Sequence, residues 1–158
     1  MEMLIPGRGF LHGATKNITS AQLKALGTVP AIIAPAQGPN LLAIPVQADL
    51  LYHFGTIAYA NLAATNEAHD LALTIGGIAV THWMSSRLTM LQLNDRATFM
   101  YPNDATDANG LPDTGSNFLP NESIQLWNWS GSNYTNGNGT LTISILYKIL
   151  NVLTGQYK

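Results

Sequence analysis

The chain of 158 residues contains no cysteine. That absence removes any disulfide framework and any thiolate metal site, and it fits a protein made in a reducing cytoplasm. Charge is scarce too: Asp, Glu, Lys and Arg supply 10% of the residues, against roughly 25% in ordinary soluble domains. The few basic residues are scattered and the net charge is -2. Phosphate binding needs concentrated positive charge, so nucleic acid is excluded as the main partner. No apolar run approaches the roughly 18 to 20 residues that span a bilayer as a helix, and no membrane partner is expected. Met1–Gly9 lacks the basic start and continuous apolar segment of a secretory signal, so secretion by that route is not expected.

Catalytic motifs are missing as well. There is no Gly-x-Ser-x-Gly nucleophile motif, and without a thiol the cysteine alternative is closed. Gly7-Arg8-Gly9 is too short for a phosphate loop and lacks the Lys-Ser/Thr pair. His12, His53, His69 and His82 are widely spaced, with no His-x-His pair, so no zinc or iron site is expected. Asp104, Asp107, Asn109, Gly110 and Asp113 look like a calcium loop, but the count fails. Taking Gly110 as the turn glycine puts Ala105 at the first ligand position and Ser116 where the bidentate acid belongs. A solvated turn is the better reading. The five Asn-x-Ser/Thr sequons, at Asn17, Asn121, Asn128, Asn133 and Asn138, follow from an Asn- and Thr-rich composition. No enzyme activity, cofactor or metal is expected.

What the chain does contain is alternation. Over Gly137–Leu150, Leu141, Ile143, Ile145, Tyr147 and Ile149 share one face, and Thr140, Thr142, Ser144, Leu146 and Lys148 share the other. A period of two makes this a strand with one buried side. The Asn-Gly-Asn-Gly run before it offers positive-φ positions, so a hairpin or sheet corner should precede Thr140. Leu41–Phe54 reads as a long strand, with a bulge or an edge at Pro45. Val29–Ala34 is β-like, ends at Pro35, and is expected to pair with that strand as a hairpin. Further strands are expected at Thr56–Asn61, Leu71–Ile75, Ile78–Trp83, Leu91–Tyr101 and around Ile124–Leu126. Pro102–Pro120, dense in Asp, Asn, Gly and Pro, reads as a long exposed loop. One short helix is expected over Ser20–Leu26, with Ser20 as N-cap and Gly27 as its stop.

Short strands separated by turns predict an all-β fold, a β-sandwich of jelly-roll type. The expected organisation is an N-terminal arm (1–18), one β-domain (19–150) and a C-terminal extension (151–158). Leu4, Ile5, Phe10 and Leu11 lie outside any strand pattern, among Pro6, Gly7 and Gly9. They read as an extended docking arm, with an ordinary frayed terminus as the alternative. Leu146 and Leu150 fall on the wet side of the last strand, where an oligomer interface would cover them. Trp83, Trp127, Trp129 and Tyr134 could form a sugar-stacking platform, but packing in a core or interface is the favoured reading.

Several segments resemble small structural proteins encoded by tailed bacteriophages. They are Ser20–Leu26, Val29-Pro30, Ala34–Gly38, Tyr52–Tyr59, Asn121-Glu122 and Gly137–Tyr147. The family is that of the jelly-roll capsid decoration, or cement, proteins. The resemblance implies a homotrimer on the outside of the phage head, with the major capsid protein as partner, in a virion assembled in the host bacterial cytoplasm. The alternative is a carbohydrate- or receptor-binding head domain of a tail fibre. Gly38-Pro39-Asn40 departs from the Gly-Lys of the family pattern, and no role is carried over for that lysine. Asn151–Lys158 lies beyond the likeness.

Overall fold

A computed structural model describes residues 10–60, 71–76, 78–79, 95–100, 120–128, 131 and 133–158. The fold is all-β, with antiparallel sheets and one short helix among the described residues. One sheet is built from β1 (His12–Ile18), β10 (Thr140–Asn151), β3 (Leu41–His53) and β7 (Arg96–Met100), in that order. A short β11 (Gln156–Tyr157) turns back onto the end of β10. The second sheet runs β2 (Ala31–Ala34), β8 (Ile124–Asn128), β5 (Leu71–Ile75), β6 (Ile78–Ala79). A two-stranded ribbon, β4 (Tyr59–Ala60) with β9 (Thr135–Asn136), lies apart from both.

The strand read from Gly137–Leu150 is the centre of the first sheet. Leu141 and Ile143 are fully buried, and Ile145, Tyr147 and Ile149 stay below a tenth exposed. They join one core with Leu50 and Tyr52 of β3 and with Leu71, Leu73, Ile124 and Leu126 of the second sheet. Apolar burial on this scale drives the two sheets face to face. The reversal before Thr140 uses Asn136 (φ 54°) and Gly137 (φ 61°), the positive-φ positions the Asn-Gly run offered. Pro45 also behaves as its chemistry requires: β3 faces Leu146 with Gln47 and Tyr147 with Pro45, leaving Val46 as the extra residue of a bulge.

Three expectations are corrected. The Val29–Ala34 segment does not form a hairpin with the next strand: β2 pairs with β8 in one sheet, while β3 pairs with β10 and β7 in the other. The helix, α1 (Ser20–Ala25), is capped by Thr19 rather than Ser20, through a capping box in which Gln22 answers Thr19. Its C-cap is Leu26 in the right-handed region, so the glycine after it does not act as a left-handed stop. Most consequentially, residues 12–18 are not part of a free arm. They form β1, paired along its whole length with β10 from His12↔Tyr147 to Ile18↔Leu141.

The ends of the described chain are tied together. Phe10 N–H donates to the Lys158 carbonyl (3.0 Å), and Lys158 N–H donates to that of Ile149 (2.9 Å). Phe10 and Leu11 are half-buried. Leu4 and Ile5, together with the calcium-like loop and Trp83 and Trp129, lie outside the described residues.

Candidate functional site: the outer face of the first sheet

Strand alternation sends every second residue of β1, β10 and β3 away from the core, and the registers line them up in rows. Gly13, Leu146 and Gln47 make one row, Thr15, Ser144 and Asp49 the next, and Asn17, Thr142 and Leu51 a third. Gly13 has no side chain to fill its place, so the first two rows enclose a shallow depression of about 280 Å³. Thr15, Gln47, Asp49, Ser144 and Leu146 rim it. Leu146 and Leu51 are each 41% exposed on this face.

The rows are cross-braced by hydrogen bonds. Thr15 Oγ1 and Ser144 Oγ are 2.9 Å apart, and Gln47 Nε2 donates to Asp49 Oδ1 at 2.9 Å. A longer chain crosses the whole sheet. Thr142 Oγ1 donates to Asn17 Oδ1 (2.9 Å), His53 Nε2 is 3.2 Å from Thr142 Oγ1, and His53 Nδ1 is 3.7 Å from Asp95 Oδ2. The other oxygen of Asp95 accepts the backbone N–H of Phe54 at 2.8 Å.

Aspartate, histidine and hydroxyl in this order resemble a hydrolytic relay, but the protons run the wrong way. A nucleophile must give its hydroxyl proton to the imidazole. Here the Thr142 proton goes to Asn17, so His53 Nε2 is the donor and no base faces the hydroxyl. The arrangement ties β1, β10, β3 and the start of β7 together.

Among the sequence-derived candidates, Leu146 lies on this face. Leu150 is half-buried and stands opposite Tyr157 of the returning β11. Tyr134 is not a platform residue and packs in the core: it is 2% exposed, its ring 6.3 Å from that of Tyr59 in an edge-on contact. Trp127 is half-buried on β8. His12 stacks on Tyr147, ring centroids 5.5 Å apart. No group of three or more His, Asp or Glu side chains able to hold a metal occurs among the described residues. Nor is any helix among them long and apolar enough to cross a membrane. The depression and the Asn17–Asp95 chain went unread in the sequence, because the only local signal was a glycine and scattered polar residues at alternate positions.

No family model and no curated protein sequence matches the chain. Among solved structures, it is similar to the Cyanophage Pam1 capsid asymmetric unit at a TM-score of 0.43 and 12% sequence identity, over 93% of this chain and 92% of the other. A likeness at that level does not establish a shared fold.

Proposed function

We propose that this chain is a structural protein of a bacteriophage particle, a decoration or cement protein on the outer surface of the head. It binds the major capsid protein at junctions between subunits and stabilises the shell by added contact area. In this reading it acts as a homotrimer, without catalysis, cofactor or metal, and its body is a jelly roll. The strand order supports the jelly roll. Setting aside the two-residue strands β4, β6, β9 and β11, the strands alternate between the sheets along the chain, and the first and last of them, β1 and β10, lie side by side.

The observation that carries the reading is the outer face of the first sheet. Its polar groups brace one another across three strands and reach the residue before a fourth, and between them Leu51 and Leu146 stay exposed. A stiff surface with isolated apolar side chains offers contact area, while the relay-like set found among the described residues has its hydroxyl proton committed to Asn17. The resemblance of Ser20–Leu26, Tyr52–Tyr59 and Gly137–Tyr147 to phage decoration proteins supports the same class.

The capsid-gripping arm is confined by the fold. Phe10 is fastened to Lys158 and the chain enters β1 at His12, so of the four arm residues only Leu4 and Ile5 come before the body. Burying each contributes roughly 1.5 to 3 kcal/mol. In a trimer the second and third arms bind at high effective concentration once the first is seated.

Adding the purified protein to undecorated heads and imaging them tests the reading. Ordered density on the head surface is expected, and its loss on deleting residues 1–9 identifies the arm as anchor. Heads that stay bare with the full chain refute the decoration role, and imaging of whole virions that places the protein on the tail would favour the fibre alternative.

A further inference from the structure

The proposed trimer leaves open which surfaces meet, and the answer here rests on that reading. A threefold ring cannot close through one self-complementary patch, because each subunit must present two different surfaces that fit each other. The described residues offer such a pair, one concave and one convex.

The concave surface is the depression over Gly13, walled by Leu146 and rimmed by Asp49. Asp49 is exposed and has no ion-pair partner among the described residues. The convex surface is the turn from Asn151 to Gly155 that joins β10 to β11. It is a built turn. Asn151 Oδ1 accepts the N–H groups of Leu153 (3.0 Å) and Thr154 (3.3 Å), Gly155 N–H donates to the Asn151 carbonyl (2.9 Å), and Val152 N–H donates to that of Asn40 (2.9 Å). Held this way, Leu153 is 74% exposed and Val152 39%, an apolar knob on a fixed backbone.

Charge separates the two surfaces. From Thr140 to Lys158 the chain has no acidic residue, and Lys148 and Lys158 lie on either side of the turn in the sequence, Lys148 Nζ being 5.5 Å from the centre of the Tyr157 ring. The depression carries the opposite sign through Asp49. Within one chain the two cannot meet: Asn151 is five steps of extended strand beyond Leu146, roughly 17 Å at the usual rise.

We propose that the Asn151–Gly155 turn of one copy seats in the Gly13 depression of the next. Leu153 packs over Gly13 against Leu146, and the lysine-bearing end of the chain faces Asp49. The occupant is a second copy of this chain, because its own knob matches the depression in polarity and in charge.

The absence of cysteine makes the test direct. Thr15→Cys and Leu153→Cys replace exposed residues on the two surfaces. Mixed and oxidised, the two variants are expected to form a heterodisulfide in yields well above either variant alone, and the double variant is expected to give covalent trimers. Gly13→Val fills the depression from an open position, where an added Cβ meets Leu146 Cδ2 at 3.9 Å and the Ile145 carbonyl at 4.0 Å. It should weaken self-association by at least about tenfold, the loss of one buried apolar contact, with the thermal midpoint unchanged or raised. A trimer that forms without the heterodisulfide, or in which Thr15→Cys couples mainly to itself, overturns the contact and leaves the trimer standing. Protein that stays monomeric both in solution and on heads refutes the trimer and the contact together.

Discussion

The ring of Tyr59 lies directly against the α-carbon of Gly137, in the space that any side chain there would need. Gly137 also has a φ of +61°, so glycine is required twice over, by conformation and by contact. Replacing it with alanine is expected to cost about 1 kcal/mol for the left-handed backbone and roughly 1 to 3 more for displacing the ring. Urea unfolding checks this. The midpoint should fall with the slope unchanged, and a loss under about 1 kcal/mol would show that the ring moves aside freely.

Tyr52 and Tyr59 give the protein an alkaline limit. Burial raises both hydroxyl pKa values above the ordinary 10, with a further upward push on Tyr52 from Asp95 and on Tyr59 from Tyr52. A raised folded-state pKa contributes stability that is fully present below the unfolded value. Above it the unfolded chain ionises first and that stability is lost. The protein should therefore lose stability as pH rises beyond about 10. Tyr59→Phe and Tyr52→Phe should each flatten that loss. At pH 7 the two differ: the Tyr59 hydroxyl donates to the Gly139 carbonyl at 2.7 Å, whereas that of Tyr52 has no partner among the described residues. Tyr59→Phe should then cost about 1 kcal/mol, and Tyr52→Phe close to nothing.

The two faces of β10 should respond oppositely to truncation. Ile143→Ala opens a cavity at a fully buried site and is expected to cost roughly 2 to 5 kcal/mol. Leu146→Ala, 41% exposed, should stay within about 0.5 kcal/mol in a monomeric unfolding experiment. If Leu146→Ala unfolds the chain, the outer face is part of a core and cannot be a contact surface.

Thr19→Ala removes the capping-box acceptor for Gln22 N–H, and about 1 kcal/mol of stability should go with it. Ser20→Ala, at the position the sequence suggested as cap, should have a smaller effect. Thermal melts of the two variants side by side decide between the caps.

A metal chelator should leave the melting temperature unchanged. A fall of more than about 5 °C, equivalent to roughly 1 kcal/mol or more in a domain of this size, would restore the calcium reading of Asp104–Asp113.

Alternation, bulge and reversal were legible in the amino-acid sequence because each is a local property. Leu141 to Ile149 alternate whatever they pair with, Pro45 cannot donate to a ladder wherever it lies, and Asn136-Gly137 tolerates positive φ in any turn. What the sequence left undecided was partnership. Thr15 meets Ser144 across 129 positions, and no local pattern marks residues 12–18 as the strand that completes a sheet with the far end of the chain. That same pairing turned an expected arm into an edge strand, set Gly13 opposite Leu146, and brought Asn17 onto the side-chain chain of Thr142, His53 and Asp95. Such neighbours arise only when the two sheets close over a common core. The hydrophobic effect that closes them is non-directional, and strand registry then selects which residues face each other.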